Sequence, residues 1–284
     1  MSANLPPKMP AIKDWLRTAT AELVAANIPS AKLDAEIILG HTLRCSRTYL
    51  HAHDDELLTP RQREIADARL RLRLDRVPVA YIIGHKEFYG RLFRVTPATL
   101  IPRPESEVMI TLLKEYAAQT KLDLHKTVER LVDVGTGSGC LGITAKRELS
   151  ELDVTLIDVS RHALTVASNN ASRLGAEVHT LRSNLLSDYP FVANYVLANL
   201  PYVDEEWERS PETNHEPALA LFADDEGLDL IYKLLDQAPS RMTPNGLLFI
   251  EADPRQHVAI INTAKKRGFS HLESRDFIVV LRKD

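Results

Sequence analysis

Leu131-Val132-Asp133-Val134-Gly135-Thr136-Gly137-Ser138-Gly139 is the stretch on which the reading of this chain turns. Four residues that suit a buried strand run directly into three glycines at alternate positions, and a helix opens at Cys140. Glycines so spaced let backbone pass against a ligand where any Cβ would clash. A dinucleotide fingerprint requires glycine or alanine at the sixth place of the turn, and here Cys140 fills it. The Lys-Ser/Thr ending of a phosphate-binding P-loop is missing as well, which counts against nucleoside triphosphates. The remaining familiar user of a glycine-rich turn after a first strand is S-adenosylmethionine. Its methionine part needs close backbone approach and carries no phosphate.

A glycine turn alone is weak evidence, and two neighbouring strand ends strengthen it. Val154 to Asp158 is a strand that ends on a carboxylate, placed to accept both hydroxyls of a ribose. Tyr195-Val196-Leu197-Ala198 is an apolar run that stops on Asn199, followed by Leu200, Pro201 and Tyr202. Pro201 ends the ladder because it has no amide hydrogen, and it holds Leu200 extended, which fixes the direction of the Leu200 carbonyl. Taken by itself that turn is an ordinary strand terminus of Asn-Pro type. With Gly135 to Gly139 and Asp158 it falls on one edge of the expected sheet, where open α/β sheets bind ligands.

Outward from these motifs, strand and helix alternate: Leu131 to Val134, Leu141 to Leu149, Val154 to Asp158, Ala163 to Leu174, Glu177 to Leu181, Tyr195 to Asn199. A helix from Gly227 to Ala238, a strand Leu247 to Glu251, a helix Arg255 to Lys266 and final strands near Ser270 to Leu272 and Phe277 to Leu281 continue the series. This predicts an α/β fold, a doubly wound, mostly parallel, Rossmann-like sheet of seven strands occupying residues 105–284. Residues 1–77 carry apolar residues at helical spacing and predict a small N-terminal helical bundle, with Ser30 and Thr59 as helix caps. Its role is open between a structural cap and a docking platform for a macromolecule. Residues 78–104 form a linker in which Tyr81, Ile82, Ile83, Gly84, Phe88, Tyr89, Gly90, Leu92, Phe93 and Val95 read as a hairpin.

Leu100 to Glu107, LIPRPESE, is stiffened by two prolines, and the helix behind it is expected over Glu105 to Ala118. Arg103 between the prolines is suited to hold an anion or a carboxylate. The polar stretch Val203 to Glu226 is too long for an ordinary connection and is expected to act over the site.

Composition limits the functional classes. The 284 residues carry a net charge of -4, against a general nucleic-acid coat, although arginines gather at Arg61, Arg63, Arg69, Arg71, Arg73 and Arg76. Cys45 and Cys140 have no metal or CxxC spacing and are expected to be small buried residues; no metal site is indicated. No signal-peptide core and no membrane-length apolar run is present, so a cytoplasmic location is expected.

On the residues just quoted, together with Tyr81 to Gly84, Glu87 to Gly90, Glu216 to Leu219 and Gly227-Leu228, the chain resembles class I S-adenosylmethionine-dependent methyltransferases. Within them it is most similar to the protein-(glutamine) methyltransferases that modify peptide chain release factors in translation termination. The resemblance implies that Gly135, Thr136, Gly137, Ser138, Gly139, Asp158, Asn184, Leu185 and Asn199 bind S-adenosyl-L-methionine. It implies catalysis at Asn199, Leu200, Pro201 and Tyr202, where the family's Asn-Pro-Pro-Tyr has leucine at its second place. Asn184 and Leu185 stand where an acidic residue and an aromatic are usual. The Asn199 oxygen and the Leu200 carbonyl would accept hydrogen bonds from the glutamine NH2 group and raise electron density on a nitrogen that amide resonance makes a poor nucleophile. Tyr202 would pack against the amide plane.

The expected partner is a release factor, with no membrane contact, no stable nucleic-acid partner and a monomeric state. Three other readings share the site: glutamine methylation of a ribosomal protein, adenine amino methylation of nucleic acid, which needs base extrusion, and an inactive adaptor that keeps the fold.

Overall fold

The computed structural model describes residues 9–120, 128–204 and 206–284, which form two compact units. One comprises Met1–Gly84 with Ser210–His215, the other His85–Arg209 with Glu216–Asp284. Among the described residues no helix is long and apolar enough to cross a membrane.

In the larger unit a hairpin, β1 (His85–Phe88) and β2 (Arg91–Arg94), precedes α6 (Glu107–Thr120), which is entered through a 3-10 turn at Pro104–Ser106. The series continues with β3 (Arg130–Val134), α7 (Cys140–Glu148), β4 (Asp153–Asp158), α8 (Arg161–Leu174), β5 (His179–Arg182) and β6 (Ala193–Ala198). After a tight turn α9 (Asp224–Gly227), in which Asp225 and Glu226 take left-handed backbone, come α10 (Asp229–Arg241), β7 (Met242–Glu251), α11 (His257–Lys265), β8 (Phe269–Arg275) and β9 (Ile278–Lys283).

The strands β3 to β9 make one seven-stranded sheet in the order β5-β4-β3-β6-β7-β9-β8. The pairs from β5 through to β7 are parallel, and β9 is antiparallel to both its neighbours. Alternate residues feed two different cores, as the two-residue period of a strand requires. Leu131, Tyr195, Leu197 and Phe249 pack with Met109 and Ile110 of α6 and Leu141 of α7. Val132, Val134, Val196, Ala198 and Ile250 pack on the other face with Ile231, Leu234 and Leu235 of α10 and Ile260 of α11. The sheet is therefore wound on both faces, and its order reverses direction between β3 and β6.

The smaller unit packs α1 (Ile12–Ala25), α2 (Ala31–Leu43), α3 (Arg47–Ala52), α4 (Pro60–Leu74) and α5 (Val79–Ile83) around Ile12, Trp15, Leu23, Ile38, Leu39, Leu50 and Leu70. Thr59 caps α4 in a reciprocal box: its hydroxyl accepts from the Gln62 amide while Gln62 accepts from the Thr59 amide. Ser30 stands at the corresponding position of α2 without capping it: its backbone (φ -89°, ψ 17°) is not the extended one a capping residue takes, and its hydroxyl donates to Asp34 at 2.8 Å. Asp34 is buried against Arg73, whose Nε lies 2.7 Å away, and that pair recruits the serine.

Two further expectations are corrected. Tyr81, Ile82 and Ile83 belong to a helical turn rather than to the hairpin, since Pro78 opens α5 and Ile82 packs against the helical core, a contact that overrides β propensity. The hairpin itself begins at His85 and turns at Tyr89-Gly90, both with positive φ (50° and 73°), as a two-residue primed turn demands. Nor are the cysteines fully buried: Cys45 and Cys140 are both half-buried free thiols.

Candidate functional site

The carboxyl ends of β3, β4 and β6 open onto a cavity of about 360 Å³. Its wall contains all of Gly135, Thr136, Gly137, Ser138, Asp158, Asn184, Leu185, Asn199, Leu200 and Pro201. The sequence motifs thus converge although they lie up to 66 residues apart (135 to 201).

The glycine turn is shaped by close packing. A Cβ on Gly135 (φ +72°) would stand 2.9 Å from Leu200 Cδ2, and one on Gly139 (φ +82°) would stand 2.6 Å from Ile143 Cδ1. Gly139 therefore serves the seating of α7, with its own place set behind the cavity lining. Asp133, 1% exposed, secures the turn: its Oδ2 accepts from the Thr136 hydroxyl at 2.6 Å and from the Gly142 amide at 2.9 Å. Burial pushes its carboxyl up to about 6 against those bonds, and Oδ1 has no partner among the described residues.

Asp158 is held by two amides, accepting from Gly137 through Oδ2 at 3.0 Å and from Ser160 through Oδ1 at 2.8 Å. Burial raises its pKa while those amides oppose the rise. Leu185 has φ of 53°, a conformation that a leucine adopts only when its surroundings impose it.

Asn199 donates through Nδ2 to Ser106 Oγ at 3.1 Å, leaving Oδ1 to accept from a ligand. Leu200 is 4% exposed and its side chain joins the α10/α11 core. Tyr202 does not line the cavity. Its hydroxyl donates to Glu251 Oε1 at 3.3 Å, and its carbonyl accepts from Gln256 Nε2 at 2.9 Å. Burial, with the Glu251 charge, raises the phenol well above its usual value.

Arg103 and Pro102 bring the LIPRPESE segment to the cavity, where Arg103 is paired with the carboxylate of Glu216. Glu216 is almost fully buried and also accepts from the Ile101 amide at 3.0 Å, so this pair ties the segment to the stretch after β6. Pro217, Leu219 and Ala220 of that stretch line the cavity too, which places part of Val203 to Glu226 over the site.

Sequence reading passed over Ser106 and Glu251. Glu251 ends β7 after the apolar run Leu247 to Ile250, the same signal that marked Asp158 and Asn199. The arginine row is the opposite case. Arg73 and Arg76 both pair with Glu212, Arg73 also with Asp34, Arg69 donates to Thr42 Oγ1, and Arg63 pairs with Asp67, so the row is largely spent inside the helical unit.

Residues 14–84 match the family described as PrmC N-terminal domain, and residues 112–216 match the methyltransferase small domain. The release factor glutamine methyltransferase of Koribacter versatilis is 36% identical over 253 residues, covering 86% of this chain and 88% of the relative. Those of Deinococcus radiodurans and Escherichia coli are 32% and 30% identical, over 91% and 93% of this chain and 91% and 94% of theirs. Among solved structures, a Thermus thermophilus 16S rRNA methyltransferase in complex with AdoMet and guanosine superimposes with a TM-score of 0.52 at 14% identity, over 70% of this chain and 49% of that one. The human Mettl16 catalytic domain gives 0.51 at 12%, over 80% and 82%. At such identities these two structures speak for the fold alone.

Proposed function

This chain belongs to the release factor glutamine methyltransferase family, and we propose that it transfers the methyl group of S-adenosyl-L-methionine to the side-chain amide nitrogen of a release factor glutamine. The observation that carries this reading is the Asn199 side chain, anchored by its nitrogen to Ser106 so that its oxygen is left for the substrate.

The cavity fits the cofactor. Backbone at Gly135 lies where a Cβ would meet Leu200, and Asp158 stands at the rim with lone pairs beyond the two amides it already accepts from. Gly135 to Ser138 would receive the methionine part, Asp158 the ribose, and Asn184 and Leu185 the adenine. When bound, S-adenosylmethionine supplies an electrophilic methyl on a positively charged sulfur.

The protein's own part is to bind and orient the amide. Asn199 Oδ1 and the Leu200 carbonyl accept the two NH2 hydrogens, which aims the nitrogen and favours the charge that develops on it. Pro201 holds the Leu200 carbonyl in place by restricting Leu200 to extended backbone. A neutral asparagine does this without burying a second carboxylate among the walls, where desolvation is costly. The pair Arg103–Glu216 fixes the mouth of the cavity. The helical unit, in this reading, docks the release factor and brings its glutamine to the cavity; the match of residues 14–84 to a domain described by its own family supports that role.

The test incubates the protein with isotopically labelled cofactor, a release factor and ribosomal proteins, and locates the methyl by mass spectrometry. Label on a release factor glutamine is the expected result; label on ribosomal protein or nucleic acid alone overturns the substrate. Asn199→Ala should lower turnover on the order of 100-fold to 1000-fold, the usual cost of one preorganised group, with cofactor affinity nearly unchanged. Turnover equal to the parent's would sink the mechanism.

A further inference from the structure

We infer that Glu251 is a positioning residue for methyl transfer, deciding, directly and by way of Ser106, which end of the Asn199 amide faces the cavity. The inference rests on the reaction proposed above. Ala198 and Ile250 are paired across β6 and β7, so Asn199 and Glu251 are the next residues on adjacent parallel strands. Both Ser106 and Glu251 are buried, at 2% and 1% exposure.

The two ends of an asparagine amide are nearly equal in size and opposite in hydrogen bonding. Turned by half a rotation, Asn199 would present NH2 to the substrate's NH2, donor against donor. Its shape does not prevent this; the direction of the hydrogen bonds behind it does. A carboxylate only accepts, whereas a hydroxyl has a single proton to give.

Burial pushes Glu251 up to about 6, hydrogen bonds from Ser106, Tyr202 and Asn199 pull it back, and the Glu105 charge adds to the rise, so above that pH it is a carboxylate. The Ser106 hydroxyl is among the groups that lower the pKa of this carboxylate; with its proton drawn to that side, its oxygen is left for Asn199 Nδ2, the donor 3.1 Å from it. The Tyr202 hydroxyl, 3.3 Å from Oε1, holds the carboxylate from the other side.

Gln256 in turn binds the Tyr202 carbonyl and the Glu226 carbonyl, at 2.9 and 2.7 Å, and braces the turn that carries the tyrosine. Glu251 Oε2 remains buried without a partner among the described residues. A carboxylate there is a poor choice for packing alone, since burying an incompletely paired charge costs stability that a neutral residue of similar size would not lose.

The experiment measures kcat, KM for release factor and cofactor Kd for Glu251→Gln and Ser106→Ala, alone and combined with Asn199→Ala. Glutamine keeps the volume of Glu251 and removes a buried charge, and the serine variant breaks the relay without touching the charge. Each is expected to lower kcat about 10-fold to 100-fold while KM and Kd stay within about twofold, the signature of an interaction realised in the transition state. In the Asn199→Ala background neither should cause a further loss, because their effect passes through Asn199. Full kcat in both single variants, or losses that multiply with that of Asn199→Ala, would overturn the inference. Full turnover in Asn199→Ala itself would instead overturn the reaction geometry on which the inference stands.

Discussion

Gly227 meets the carbonyl of Tyr202 so closely that a Cβ on the glycine would lie 2.1 Å from that oxygen. The same Cβ would be 2.7 Å from Gln256 Nε2, and Gly227 has φ of +82°. Sterics and backbone conformation therefore both exclude any other residue. Gly227→Ala is expected to cost more than about 2 kcal/mol of stability, the sum of overpacking and a left-handed alanine, and to displace the turn after Asn199. Urea unfolding with methylation assays on the folded fraction checks this; parental values for both would show that the turn yields freely.

Asp158→Ala is expected to weaken S-adenosylmethionine by about 1.5–3 kcal/mol for each charge-assisted bond lost to the ribose. It also removes the acceptor that Gly137 and Ser160 share, so the glycine turn loses a tether. Asp158→Asn, which retains one acceptor, should fall between alanine and the parent in calorimetry. Unchanged affinity in the alanine variant would take Asp158 out of the cofactor site.

Leu200→Pro separates a backbone role from a side-chain role. Proline keeps the carbonyl and restores the family's commoner pattern, so turnover per folded molecule should stay near that of the parent. Stability should fall by about 1–3 kcal/mol, because the leucine side chain fills the space over Gly135 and proline is smaller. A large drop in turnover with unaltered stability would contradict the assignment of the carbonyl as the working group.

Asp133 gives the pH dependence of stability a definite sign. Its pKa in the fold is raised to about 6 from the model-peptide value of 3.8, so the native state binds its proton more tightly than the unfolded chain. The contribution is fully present below about 4 and is lost as pH rises through about 6. Asp133→Asn keeps an oxygen for Thr136 and Gly142 and puts a donor where Oδ1 is unpartnered, so it removes this titration. The stability of the variant relative to the parent should therefore increase between about pH 4 and pH 6 and level off above. A difference that is flat across that range would show that Asp133 does not titrate there.

The sheet was legible because a parallel strand buried on both faces writes its length as an apolar run and its end as a polar residue. Asp158 and Asn199 were read in this way. Glu251 obeyed the same rule and went unread, because no glycine-rich turn or Asn-Pro type terminus stood beside it to single out that strand end. Ser106 gave no signal at all: it lies in the LIPRPESE stretch among glutamates at a helix start, and only the tertiary approach of that segment to β6 brings its hydroxyl to Asn199. Propensity misled at Tyr81 to Ile83, where packing decided. At Ser30 the residue type suited a cap and the backbone conformation did not. Arginine spacing was mute on which members turn inward, because Arg73 finds its partners 39 residues earlier in Asp34 and 139 residues later in Glu212.

That last partner has a consequence for anyone recombining these parts. Glu212 accepts from Arg73 at 3.0 Å and Arg76 at 3.3 Å, and His215 meets the Asp75 carbonyl at 2.9 Å, within a segment, Ser210–His215, that belongs to the helical unit although it is encoded in the middle of the methyltransferase unit. The helical unit is discontinuous in the gene. A chimera made by exchanging everything before His85 would receive a foreign helix α4 and keep the native Ser210–His215, leaving Glu212 to face arginines it was not selected with. A graft of the helical unit from one relative to another must carry two pieces of chain, and the six-residue piece is the one that a cut at the obvious boundary leaves behind.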